Sequence, residues 1–489
     1  MENKDLIFYE IYPTSFYDSN NDGTGDLNGI TIKLDYIKSL GFNALWINPF
    51  YLSPFKDGGY DVKDFFEVDP RFGNKSDLIN LIKEVHRRDM KIIIDLVAGH
   101  ASEENKEFLL SAKDEKNYYS DLFIWNNSTW DLEPNYKLIS GRHERFGNYL
   151  VNFFSTQPAF NYGFNKIEYP SWQMSYKDER TFKARNYILN VMRYYLKMGV
   201  DGFRVDMADS LVKNDDDKTA TIEVWNYLFD KIRSEYKDAI FVSEWCNPYQ
   251  SFSAGFDIDF LLSDHRHFLT SLTRHFLDEG DILKGGDLSY FINNMRELFS
   301  YMKEKKKFLG LISGNHDTER LATSHNINEL KLIYLFLFTL PGIPFIYYGD
   351  EIEMKHAYIK SKDGGYQRTG DRTPMQWSND KNAGFSQTDK PLYLPVFEVD
   401  HTNVMEKLNN KDSLIHVIKD LISIRKSYPS LTSFDIEINE NNRIIEIVRN
   451  DIKIIINLSN EEIKIDDEII YNLNKGNTIL PISGAILKK

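Results

Sequence analysis

Ile92-Ile93-Ile94-Asp95-Leu96-Val97, followed by Ala98-Gly99-His100, and Gly202-Phe203-Arg204-Val205-Asp206, followed by Met207-Ala208-Asp209-Ser210, set the fold of this chain. Each is a short apolar run, rich in branched residues, that stops on charged side chains. Runs of this kind belong to buried strands of a parallel sheet. The same reading gives strands at Ile7 to Tyr12, Ala44 to Asn48, Ile240 to Ser243, Ile258 to Leu262, Leu309 to Ile312 and Pro344 to Tyr347. Helical patterns lie between most of them. One is Ile32 to Leu40, ended by Gly41; another is Ser76 to Arg88, with Ser76 as its expected N-cap. Strands and helices in this alternation close into a barrel more readily than they open into a sheet. The expected fold class is α/β, a (β/α)8 TIM barrel.

Two segments break the rhythm. Residues 101–170 are rich in Asn, Tyr and Trp with weak periodicity, and they follow the third strand. They are expected to form a subdomain inserted at the barrel's C-terminal rim, leaving 1–100 and 171–431 as the barrel. From residue 432 the pattern turns to short strands with Asn and Gly turns: Phe434 to Ile438, Ile444 to Val448 and Ile452 to Leu458. That predicts a small C-terminal antiparallel β domain over 432–489.

Composition narrows the function classes. The 489 residues carry a net charge of −14, which argues against nucleic acid or an anionic membrane as partner. Aromatic residues make up 14%, enough to pack the core and also to line a groove for flat, CH-rich ligands such as sugars. The single cysteine, Cys246, excludes an intramolecular disulfide and fits a reducing compartment. The first residues lack a basic segment leading into an apolar one, and Lys331, Pro341 and Pro344 interrupt the most apolar stretch, Leu330 to Tyr348. A cytoplasmic location is expected.

In such barrels the residues at the C-terminal ends of strands face the active site. Here these are Asp95 and His100, Arg204 and Asp206, Glu244, and His316 and Asp317. A lone Asp at a strand end is usually a helix cap; seven chemically matched residues at such positions converge on one mouth. Cleaving a glycosidic bond with retention needs a carboxylate nucleophile and a protonated carboxyl about 5 Å away. Arg204 and Asp206, two apart in a strand, share a face, so the guanidinium can keep Asp206 ionised and oriented. Glu244, beside Trp245 and among other carboxylates, suits the general acid.

The segments DLVAGH (Asp95 to His100), GFRVDMADS (Gly202 to Ser210), VSEW (Val242 to Trp245) and GNHDTER (Gly314 to Arg320) resemble, in order, four signatures of the α-amylase superfamily, glycoside hydrolase family 13. QPAFN (Gln157 to Asn161) resembles its inserted-domain motif and GIPFIYYGDE (Gly342 to Glu351) its strand-eight motif. The resemblance implies Asp206 as nucleophile, Glu244 as acid/base and Asp317 as transition-state stabiliser. Tyr60, His100, Arg204 and His316 are then contacts around the cleaved bond, with Asp95 in support. Gly99 stands where the family usually has the Asn of an interdomain calcium site, so that site is not expected. Asp209 and Ser210 replace the Lys-His pair of endo-acting amylases. Met207 matches neither the Ala associated with α-1,4 nor the Val associated with α-1,6 linkages, which leaves linkage open.

Further resemblances point to exo action on short substrates. Lys56 to Asp61, and Gly365 to Trp377 with Asn382 to Ser386, are similar to loops of glucosidases and of sucrose-active and trehalose-forming members. They imply that Asp57 binds the terminal glucose, with Arg368 as its first-choice partner and Arg372 as its second. Asp18, Asn20, Asp22, Thr24 and Asp26 stand at alternate positions with Gly23 and Gly25 between, a hard-oxygen set suited to one structural Ca2+. Gly29 in place of the twelfth-position Glu excludes an EF-hand. The expected function is retaining hydrolysis of short α-glucosides, or of malto-oligosaccharides, through a glucosyl-Asp206 intermediate. Transglycosylation or isomerisation of the trehalose-synthase kind, endo-acting amylase action and a catalytically silent sugar-binding homologue are the alternatives. A mononuclear metallohydrolase is disfavoured, because the histidines show no HxH or HExxH spacing.

Overall fold

The computed structural model describes residues 2–262, 268–273, 281–362, 367–397 and 402–489. Eight strands form one closed parallel barrel: β1 (Phe8–Ile11), β2 (Ala44–Ile47), β3 (Lys91–Val97), β4 (Gly202–Asp206), β5 (Ile240–Ser243), β6 (Ile258–Phe260), β7 (Phe308–Ile312) and β8 (Ile343–Tyr347). Each pairs with its neighbours in sequence, and β8 closes on β1. The register sets chemistry side by side. Asp95 lies beside Arg204 and Val97 beside Asp206 across β3 and β4; Ser243 lies beside Asp259 across β5 and β6. At Gly202 a Cβ would fall 2.0 Å from the Ile240 carbonyl oxygen, so only glycine lets β4 lie this close to β5.

Several strand ends shift by one or two residues, and three other boundaries differ from expectation for a local reason. Helix α1 spans Leu27–Leu40 and starts before Ile32, because the Asp26 carboxylate accepts from the Gly29 amide and caps it. Its far end is Gly41, left-handed at φ 104°. Helix α2 (Lys75–Arg87) is capped by Asn74 rather than Ser76, in a capping box closed by Asp77. The first C-terminal strand is β9 (Glu437–Asn441), not Phe434 to Ile438: Phe434 leaves the sheet to stack on Phe308, ring centroids 5.2 Å apart.

Strands β10 (Ile444–Arg449), β11 (Ile452–Asn457), β12 (Ile469–Asn472) and β13 (Ser483–Lys488) complete an antiparallel sheet in the order β9-β10-β11-β13-β12. It packs on α6 (Ile327–Thr339), the helix that precedes β8 (α3, α4 and α5 being Phe182–Met198, Thr219–Glu235 and Leu288–Lys305). Beyond its polar first turn α6 is apolar on all sides, and Leu332 through Thr339 are buried, because the barrel, this sheet and the helix Leu414–Ser427 enclose it. Its last carbonyls are met by two buried arginines. Arg425, on α7 (Leu414–Ser427), donates to the Phe338, Leu340 and Gly342 oxygens at 2.8, 3.0 and 2.6 Å. Arg449, on β10, donates to the Thr339 oxygen at 2.6 Å. Among the described residues no helix is long and apolar enough to cross a membrane.

Candidate active site

The C-terminal ends of the strands surround a cavity of about 370 Å³, lined by Asp57, Tyr60, His100, Asp206, Glu244, Asp317 and Arg368 among others. A larger cleft of about 1030 Å³ lies at the opposite end of the barrel, where Lys303 is paired with Asp435. It offers no comparable acid pair.

Arg204 is the hub. Fully buried, its Nη1 lies 2.6 Å from Asp95 and 3.0 Å from Asp206, and its Nη2 lies 2.8 Å from Glu244. One planar guanidinium therefore orients the two carboxyls at the centre of the cavity. Asp95 also accepts from the Trp46 indole at 2.8 Å and from Asn48 at 3.2 Å, which fixes the arginine from behind. Burial, with the Glu244 carboxylate beside it, pushes the Asp206 carboxyl well above its usual range, against the pull of Arg204. Such neighbours titrate as a unit. Met207 follows in a left-handed conformation, φ 42°, strained for a residue with a Cβ. That turn aims its amide at Glu244, 3.0 Å from Oε2.

A second cluster closes one end. Arg368 bridges Asp57 and Asp317, 2.8 Å from the latter. Arg372 donates to Asp317 at 2.5 Å and to the His316 carbonyl at 2.8 Å. Of the two arginines, Arg368 is thus the one that pairs with Asp57. Gln157, from the QPAFN motif, holds the other Asp57 oxygen at 2.6 Å. Burial raises the Asp57 carboxyl to about 6 despite both arginines. Burial would also raise Asp317, but His316, Arg368 and Arg372 outweigh it and hold that carboxyl well below the usual range. His316 touches Glu10 at 2.7 Å and Asp317 at 3.2 Å. Burial would discharge it, yet the two carboxylates win and lift it to about 9. Tyr60 lies parallel to the His316 ring, centroids 5.2 Å apart, as a flat wall beside Asp206.

His100 lines the cavity with both nitrogens engaged. Nε2 donates to the Tyr60 carbonyl at 3.1 Å, and Nδ1 accepts from Asn152 at 3.2 Å. Burial drops it to about 3, so the ring is neutral. Asn152 fills the space beside Gly99, where an added Cβ would lie 2.7 Å from its Nδ2, and it accepts from Lys213 at 2.6 Å. Glu10, Asn48 and Asn152 were not anticipated from sequence. Glu10 was recognisable as the single charge in the apolar strand Phe8–Ile11, and Asn48 as the polar residue directly after β2.

The loop of Asp18, Asn20, Asp22, Thr24 and Asp26 lies away from this cavity. Asp18 accepts from the Asn21 and Gly23 amides at 2.7 and 2.8 Å, and Asp26 from Ser19 and Gly29. Both carboxylates are buried, and Asp18 adds to the burial that raises Asp26. An oxygen-only set with two such carboxylates side by side suits a hard dication. Among the described residues no group of three or more His, Cys, Asp or Glu side chains is arranged to hold a metal. An ion here therefore depends on Asn20 and main-chain oxygen as well. Gly365 and Tyr366, from the strand-eight loop, lie outside the described residues.

Comparison with known proteins agrees with this architecture. The trehalose synthase/amylase TreS of Mycolicibacterium smegmatis is 29% identical over 87% of this chain and 76% of its own length. The glucan 1,6-alpha-glucosidase of Streptococcus pneumoniae is 29% identical over 93% of this chain and 91% of its own. An isomaltulose synthase from Erwinia rhapontici, solved with sucrose, superposes with a TM-score of 0.81 at 23% identity, covering 99% and 98% of the two chains. Residues 10–433 match the family model described as "Alpha amylase, catalytic domain". The chain belongs to the alpha-amylase family of glycoside-active barrels.

Proposed function

We propose that this protein is a retaining α-glucosidase for short α-glucosides. Asp206 attacks the anomeric carbon, and Glu244 protonates the leaving oxygen. Water, deprotonated by Glu244, then releases glucose from the glucosyl-Asp206 ester. Asp317, held anionic by His316, Arg368 and Arg372, faces the positive charge that develops on the sugar ring. Tyr60 stacks on the glucose. Segment 101–170, which supplies Asn152 and Gln157 to the wall, acts as a subdomain shaping the aglycone side. The Asp18–Asp26 loop takes one structural Ca2+.

The observation that carries the reading is the Asp57–Arg368–Asp317 chain of ion pairs at one end of a 370 Å³ cavity. A cavity capped in this way holds one terminal sugar and does not thread a polymer, which weighs against endo action. The three carboxylates together weigh against a silent homologue. A second reading, transfer of the same glucosyl group to a sugar, is supported by relatives named trehalose synthase and isomaltulose synthase.

The test is a product analysis on p-nitrophenyl α-glucoside, maltose, isomaltose, sucrose, trehalose and starch, beside Asp206→Asn. Glucose from the small substrates, none from starch and none with the variant is the expected result. Isomerised disaccharide as main product selects the transfer reading, and internal cleavage of starch refutes the capped pocket. Labelling with 5-fluoro-α-glucosyl fluoride followed by peptide mass spectrometry should place the sugar on Asp206.

A further inference from the structure

Asp259 lies in the middle of β6, fully buried and next to Ser243 in the sheet register. It belongs to none of the motifs above, and it does not line the cavity. Its Oδ1 accepts from the Ser243 hydroxyl at 2.6 Å and from the Trp245 amide at 3.3 Å. The amides of Cys246 and Asn247 are also directed at the carboxylate and favour its charged form. Three consecutive N–H groups around one anion form a nest, a geometry that requires a left-handed residue within the turn. Cys246 is that residue, at φ 59°. With its proton given to Asp259, the Ser243 hydroxyl in turn accepts from the Ser251 hydroxyl at 2.6 Å.

Glu244 sits between the two anchors. Ser243 before it and Trp245 after it are both tied to the same buried carboxylate. Glu244 is held at its head group by Arg204 and the Met207 amide, and its own N–H and C=O are tied to Val205 and Ala208 at 3.0 and 3.2 Å; the residues on either side of it are left to Asp259. We propose that Asp259 is the positioning residue for the acid/base: its carboxylate wraps the chain end of β5 and so sets the direction from which Glu244 delivers its proton. This rests on the reading of Glu244 as the acid. Burying a carboxylate here is costly; burial lifts it to about 7 against the pull of Ser243 and the three amides. A plain packing role would be served as well by an uncharged residue.

The experiment compares two leaving groups. A sugar alkoxide must be protonated as it departs, whereas fluoride leaves α-glucosyl fluoride with little help from an acid. A misdirected Glu244 therefore slows cleavage of a disaccharide and spares the fluoride, while general loosening of the site slows both. In Asp259→Asn the negative charge is lost and a single acceptor oxygen is left to serve Ser243, Trp245 and the two following amides, so the nest loosens without a change of volume. The expected result is a kcat/KM on disaccharide lowered about 30-fold or more, the scale of a misplacement near 1 Å. Loss on the fluoride should stay within about threefold. Ser243→Ala, which keeps the carboxylate and removes one anchor, should shift the ratio the same way by less, and it carries the test if Asp259→Asn fails to fold. A ratio unchanged within twofold in the folded variants overturns the proposal. Wild-type protein inert on both substrates would instead remove the glucosidase reading, and this assignment with it.

Discussion

Replacing Asp57 by Asn should make the protein more stable and less active. The Asp57 carboxyl is 4% exposed, and burial raises it from 3.8 in an open chain to about 6 in the fold. A raised carboxylate contributes its full stability below pH 3.8 and loses it as pH climbs through 6. At 1.36 kcal/mol per unit the loss is about 3 kcal/mol above pH 7. Asparagine mimics the protonated form and avoids that penalty. For a chain of this length 3 kcal/mol corresponds to roughly 3 °C in Tm. The cost falls on substrate binding, where a charge-assisted hydrogen bond to a sugar hydroxyl is worth about 1.5–3 kcal/mol, or 10- to 150-fold in kcat/KM. Calorimetry at pH 8 and pH 4, together with kinetics on p-nitrophenyl α-glucoside, reads both effects. The variant should melt higher than wild type at pH 8 and level with it at pH 4. A lower Tm at pH 8, or kcat/KM within threefold of wild type, would refute the picture of a strained carboxylate held in place for its ligand.

Three other outcomes follow from the same geometry. His316 is raised from 6.5 to about 9, so its contribution is complete below pH 6.5 and fades as pH passes 9, a change of about 3 kcal/mol. Wild type should lose Tm between pH 7 and 9.5 while His316→Gln stays flat, as read by scanning fluorimetry across that range. Chelation with EGTA should lower Tm by several degrees, with recovery on adding Ca2+, and Asp18→Ala should abolish that response; indifference to EGTA and Ca2+ would remove the ion from the loop. Arg204→Met leaves Asp95, Asp206 and Glu244 without their shared cation, an uncompensated set costing about 3–5 kcal/mol. Tm should fall by about 3–5 °C and soluble yield with it, and a variant that melts level with wild type would contradict its place as the hub.

What the sequence disclosed was governed by the distance over which each constraint acts. Asp206 and Glu244 were legible because a buried strand ends at them, and Asp317 because it stands in the GNHDTER segment that follows one; each pattern is contained in a few adjacent residues. Arg368 sits in an irregular loop, and no periodicity points from it to Asp57; only the resemblance to related loops paired them. Glu10, Asn48 and Asn152 escaped because their significance is purely spatial: Glu10 charges a histidine 306 positions away. Asp259 passed as one polar position in a strand, since the nest it fills belongs to the neighbouring strand. Phe434 looked like the start of a strand by hydrophobicity alone, and the barrel base claimed it instead.

The arginine pair at the end of α6 bears on how this protein can be cut and recombined. Arg449 reaches out of the terminal sheet to finish a helix of the barrel, and Arg425 does the same from the preceding helix. The seam between barrel and sheet is thus threaded by main-chain hydrogen bonds as well as by apolar packing. A chimera that joins this barrel to another protein's terminal sheet keeps Arg425 but strands the Thr339 carbonyl just ahead of β8, the strand that leads into the Arg368 loop. Junctions placed by secondary structure alone would sever that stitch. A workable exchange has to carry an arginine at the position of Arg449, or damage a sugar pocket that the terminal sheet never touches.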